Sequence, residues 1–82
     1  MMITDFNSKV WDTVGGWQSK QTSKGLLEAV VIEERTTSPV KSCKVAVRVT
    51  PIGQTEPRLS FQPVANIEAG NRLIADQFTK AS

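Results

Sequence analysis

Between Val40 and Thr50 the chain alternates almost without a fault. Cys43, Val45, Val47 and Val49 fall on one side of an extended strand, and Lys44, Ala46 and Arg48 on the other. A second apolar run precedes it, "LLEAVVIEE" at 26–34, where the consecutive β-branched Val30, Val31 and Ile32 favour a strand over a helix. Side chains on a strand repeat every two residues, so a pairing slip of one residue turns every side chain to the opposite face. This makes register a matter of arithmetic. With Val31 opposite Val45, Ala29 meets Val47, Leu27 meets Val49, and Glu28 meets Arg48 as a favourable cross-strand ion pair.

A third run, "RLSFQPV" at 58–64, alternates Leu59 and Phe61 against Arg58, Ser60 and Gln62. Pairing Val49 with Leu59 and Val47 with Phe61 would continue one apolar face. Pro51 and Pro57 bound the loop before it, and Pro57 and Pro63 suit an edge strand, because proline donates no ladder hydrogen bond. Residues 26–34 would form the other edge, an apolar one open to strand addition.

Helices are expected at both ends. Over about 4–14, Ile3, Phe6, Val10 and Val14 recur at spacings of three and four, Thr4 or Asp5 offers a cap, and Gly15-Gly16 gives a stop. Over about 67–80, Asn66 is a natural N-cap, and Ile67, Gly70, Ile74 and Phe78 form a stripe. The polar stretch 18–25, "QSKQTSKG", reads as a loop. The expected fold is therefore α+β: a three-stranded antiparallel meander flanked by an N-terminal and a C-terminal helix, with 1–82 as one domain. The C-terminal helix should pack on the fully apolar face through Ile67, Ile74 and Phe78. The first helix, or a partner, should cover Leu26, Val30 and Ile32.

An 82-residue chain with 39% apolar residues can build one modest core. A chain of this size buries only about 60–65% of its unfolded surface, so burial against a partner adds noticeably to stability. Ten Lys/Arg against eight Asp/Glu give a net charge of +2, which permits nucleic-acid contact without requiring it. The single cysteine, Cys43, excludes an internal disulfide and reads as a small buried hydrophobe. "MMITDF" has no basic residue and no following apolar run, so no signal peptide is expected. The longest apolar stretch is too short for a bilayer and contains Glu28. A cytoplasmic protein without membrane contact is the expectation.

Catalytic chemistry finds few parts here. There is no histidine and no tyrosine, hence no imidazole acid–base group and no Ser-His or Cys-His nucleophile. One cysteine cannot supply a zinc cluster. Glu33 and Glu34 are adjacent on a strand, so their carboxylates point apart. "VGGWQSK" lacks phosphate-loop spacing. No cofactor, metal or small-molecule substrate is implied.

What remains is recognition. A non-enzymatic interaction or assembly module is expected, binding itself or another protein through an apolar sheet edge or a mixed face. Trp11, Trp17, Val30 and Ile32 are the residues for that contact, with Trp17 ahead of Trp11 because it lies beyond the helical stripe. The alternative is a small nucleic-acid-binding regulator, of the kind phages and plasmids encode, using Lys41, Lys44, Arg48 and Arg58. Against it stands the absence of an aromatic residue on the expected basic face, since single-strand readers stack bases on such rings.

Overall fold

The computed structural model describes residues 10–37 and 39–81. In chain order it comprises strands β1 (Trp11–Thr22), β2 (Gly25–Glu34), β3 (Cys43–Pro51) and β4 (Arg58–Val64), followed by helix α1 (Ile67–Lys80). The strands form one antiparallel sheet in the order β1-β2-β3-β4. Among the described residues, four strands and one helix stand where three strands and two helices were expected. Of the helix expected over 4–14, residues 4–9 lie outside the described residues, and Trp11–Val14 belong to β1.

The stretch 18–25, expected to be a loop, is mostly strand, turning only at Ser23-Lys24. There the Thr22 hydroxyl donates to the Gly25 carbonyl at 2.8 Å and accepts the Lys24 N–H at 3.2 Å, tying the two-residue hairpin. Gly15-Gly16 does not cap a helix either. Between Val14, opposite Val31, and Gln18, opposite Ala29, three residues of β1 face the single Val30. Gly15 takes φ +77°, the left-handed conformation glycine adopts at least cost, and lets the strand bulge.

The central ladder carries the register expected from the pattern, with Val31 opposite Val45, Ala29 opposite Val47, Leu27 opposite Val49 and Glu28 opposite Arg48. The next ladder is displaced by one residue from expectation. Leu59 pairs with Arg48 and Phe61 with Ala46, while Arg58 and Ser60 meet Val49 and Val47. That slip sends Leu59 and Phe61 to the face away from the helix.

Helix α1 lies over β2 and β3 and reaches β4. Its start is capped by Asn66, whose side-chain oxygen accepts the Ala69 N–H at 2.8 Å, with Glu68 in the first turn and Lys80 in the last. Between helix and sheet, Ala29, Val31, Val45 and the helix's own Ile74 are buried, flanked by Val14, Val47, Val64, Ile67, Leu73 and Phe78. Gly70 makes the close approach possible, since a Cβ there would stand 2.9 Å and 3.2 Å from the two Val31 methyls. From β1, the Lys20 ammonium donates to the carbonyls of Phe78 at 2.6 Å and Ala81 at 2.9 Å. It thereby satisfies orphan carbonyls at the negative end of the helix.

Candidate interaction surface

The other face of the sheet has no helix over it among the described residues. Strand alternation brings Trp11, Thr13 and Trp17 from β1 to this face, and Leu26, Glu28, Val30, Ile32 and Glu34 from β2. From β3 and β4 come Lys44, Ala46, Arg48, Leu59 and Phe61. Val30, Ile32 and Ala46 are fully buried here as a second core, with Trp11, Trp17 and Leu59 packed on them. The expected cover for the Val30/Ile32 side was the first helix or a partner. An edge strand does that work instead, through two indole rings, Trp11 before the bulge and Trp17 within it.

Cations hold those rings in place. The Lys44 ammonium lies 5.1 Å from the centre of the Trp11 ring, and the Arg48 guanidinium carbon 4.3 Å from that of Trp17. Both distances are within cation–π range, and the lysine and arginine stems cover further apolar surface. Arg48 is also bidentate to Glu28, Nε donating to Oε1 and Nη2 to Oε2, each at 3.0 Å. The planar guanidinium thus joins a carboxylate at its edge to an indole at its face, which a lysine could not reproduce. Beyond this layer Phe61 remains 43% exposed at the β4 edge.

The residues singled out for protein contact therefore separate into two layers. Trp11 and Trp17 form the outer surface, whereas Val30 and Ile32 are beneath them and reach no partner directly. Their strand, expected to be an open edge, is central, paired with β1 on one side and β3 on the other.

The four basic residues do not share a surface. Lys44 and Arg48 are on the open face. Arg58, opposite Val49, points to the helix side, and Lys41 precedes β3 and pairs with Glu33 at 3.6 Å. The open face carries Glu28 and Glu34 against Lys44 and Arg48, so its charges balance. Contrary to expectation, it is rich in aromatic residues. Leu59 and Phe61 were the contributors hidden from the sequence, because the one-residue register slip assigned them to the other face.

Elsewhere the chemistry is sparse. No group of three His, Cys, Asp or Glu suited to a metal occurs among the described residues. A shallow groove of about 370 Å³ on the helix is lined by Ala69, Arg72, Leu73 and Asp76, with a single carboxylate and no thiol or hydroxyl. Cys43 is buried at the start of β3, and burial, followed by the nearby Glu33 charge, pushes its thiol pKa up, away from a reactive thiolate. Among the described residues no helix is long and apolar enough to cross a membrane. In comparison with known proteins, the chain matches no family model, no curated protein and no solved structure.

Proposed function

We propose that this chain is a non-enzymatic interaction or assembly module that binds protein through the open face of its sheet. The observation that carries this reading is the surface formed by Trp11, Trp17, Leu59 and Phe61 around a balanced set of charges, on the side of the sheet opposite α1. Tryptophan and arginine dominate binding hot spots because each offers a large, rigid contact at small entropic cost. The rings are already pre-set by Lys44 and Arg48, so little ordering remains to be done on binding.

A second reading has one observation in its favour. Aromatic rings and cations now share a sheet face, as in proteins that stack single-stranded nucleic acid. The acidic Glu28 and Glu34 on the same face oppose a phosphate backbone, which places this reading second.

Light scattering on a size-exclusion column, at low and high salt, separates the two. For an assembly module the mass exceeds one chain, changes little with salt, and falls to that of a monomer in Phe61→Asp. Phe61 is exposed enough for that substitution to leave the fold intact. Co-eluting nucleic acid that is lost at high salt would favour the second reading. A salt-independent monomer would remove self-assembly and leave a different protein as the partner.

A further inference from the structure

Resting on the reading of the open face as a protein-docking surface, we propose that its occupant is a second copy of this chain. The two copies pack face to face about a two-fold axis that runs along the strands between β2 and β3. Charge placement on the face selects this arrangement. Both acids, Glu28 and Glu34, are on β2, and both bases, Lys44 and Arg48, are on the adjacent β3. Two simple two-fold axes lie in the plane of such a sheet. One, perpendicular to the strands, would lay β2 on β2 and β3 on β3, setting acids against acids and bases against bases. The other, along the strands, lays the β2 of one copy over the β3 of its partner, so that Glu28 of each copy faces Arg48 of the other, once on each side of the axis. Like charges brought together across an interface cost several kcal/mol, so the second arrangement is strongly preferred.

The same axis fixes the remaining contacts. Rotation about an axis along the strands leaves height along the strand unchanged, so each residue comes to face the residues at its own level in the ladder. Glu28 then meets the level of Arg48 in the other copy, with which it already shares a rung within its own chain. The outer strands exchange as well, placing β1 over β4. Trp17, in the bulge facing Val30, comes to the level of Phe61, which pairs with Ala46 opposite Val30. The indole of one copy thus lies against the exposed Phe61 ring of the other, and this happens twice.

Aligned sheet packings keep their strands within about 30° of each other, which such an axis satisfies. Strands of 7 to 12 residues in a four-stranded sheet present on the order of 600 Å² of flat area, from ~4.8 Å between strands and ~3.4 Å per residue. Side-chain relief raises that figure toward the ~800 Å² per partner of a standard stable interface.

The test is a charge exchange read by light scattering or sedimentation equilibrium, with far-UV circular dichroism as the folding control. Glu28→Arg and Arg48→Glu each place like charges together on both sides of the axis, so each variant alone is expected to dissociate, its dimer weakened tenfold or more. Mixed in equal amounts, the two variants are expected to form a heterodimer, since every facing pair is then opposite in sign. The double variant E28R/R48E restores both the pair within the chain and the pairs between chains, and is expected to dimerise like the parent. Circular dichroism and the mixture separate a lost interface from a lost fold, since each chain of the mixture keeps its like-charged rung and regains only the pairs between chains.

A monomeric parent, single variants that dimerise as well as the parent, or a mixture that stays monomeric would each overturn the arrangement. Phe61→Asp tells which level has failed. If it dissociates a dimer that the charge variants leave intact, the face is the interface and the axis is wrong. If it also leaves the dimer intact, the open face is not the docking surface.

Discussion

Arg48 is the residue through which the open face is organised. Its guanidinium faces the Trp17 ring at 4.3 Å while both arms reach Glu28, with the two side chains 24% and 19% exposed. Removing it strips the ring of its cation and leaves a half-buried carboxylate without its bidentate partner. Arg48→Ala should lower stability by about 1–2 kcal/mol, and Arg48→Lys should recover only part of that, as read from urea midpoints. Gly70 makes a contrasting point about space. The methyls of Val31, itself buried, already stand where a side chain would go, so Gly70→Leu should lift α1 from the sheet and destabilise by about 1–3 kcal/mol or more. Cys43 adds a dependence on pH. Its thiol pKa is raised in the folded chain, so its protonated form contributes stability below the ordinary thiol pKa. That contribution is lost as pH rises through the folded value. As pH rises past the ordinary thiol pKa, about 8.5, the parent should therefore lose more stability than Cys43→Ala, and thiol reagents should react with Cys43 only after denaturant opens the strand.

At the scale of elements, β2, β3 and α1 were legible in the sequence, and β1 was not, for a physical reason. The half-buried residues of β1 include Trp11, Val14, Trp17 and Lys20, three apart. On a strand, steps of three alternate between faces, so Trp11 and Trp17 serve the open side while Val14 and Lys20 serve the helix side. An apolar spacing of three or four is also the signature of a helix, and Gly15-Gly16 imitates its stop. An edge strand that feeds two cores thus resembles an amphipathic helix. The β2–β3 register was legible because a shift by one would have buried Lys44 and Arg48 under the helix. The β3–β4 register was not, because Leu59 and Phe61 have apolar surface to cover on either face. Lys20 yields an element-scale expectation. Its two hydrogen bonds hold the C-terminal turn of α1 against β1. Lys20→Met should keep the apolar stem but let residues 78–81 fray, seen as faster amide exchange there than in the first turns of the helix.

The whole molecule is a broad slab, 43 × 31 × 17 Å, with one face of its sheet under a helix and the other under two tryptophans. A chain of 82 residues has little interior to give, and burial of the second face in an assembly would add to the stability the small core provides. Composition pointed toward the recognition role proposed above by withholding catalytic parts, but the surface proposed to carry it depends on three-dimensional facts: a bulge in β1 and a one-residue register in β4. The chain contains two tryptophans, and both lie on the open face, so their fluorescence reports that face alone. The decisive measurement is tryptophan emission and iodide quenching across a dilution series, alongside light scattering on the same samples. If the open face is the docking surface, the emission shifts to shorter wavelength and quenching falls over the same concentrations at which the mass doubles. Emission and quenching that stay constant while the mass doubles would place the interface elsewhere and contradict the account.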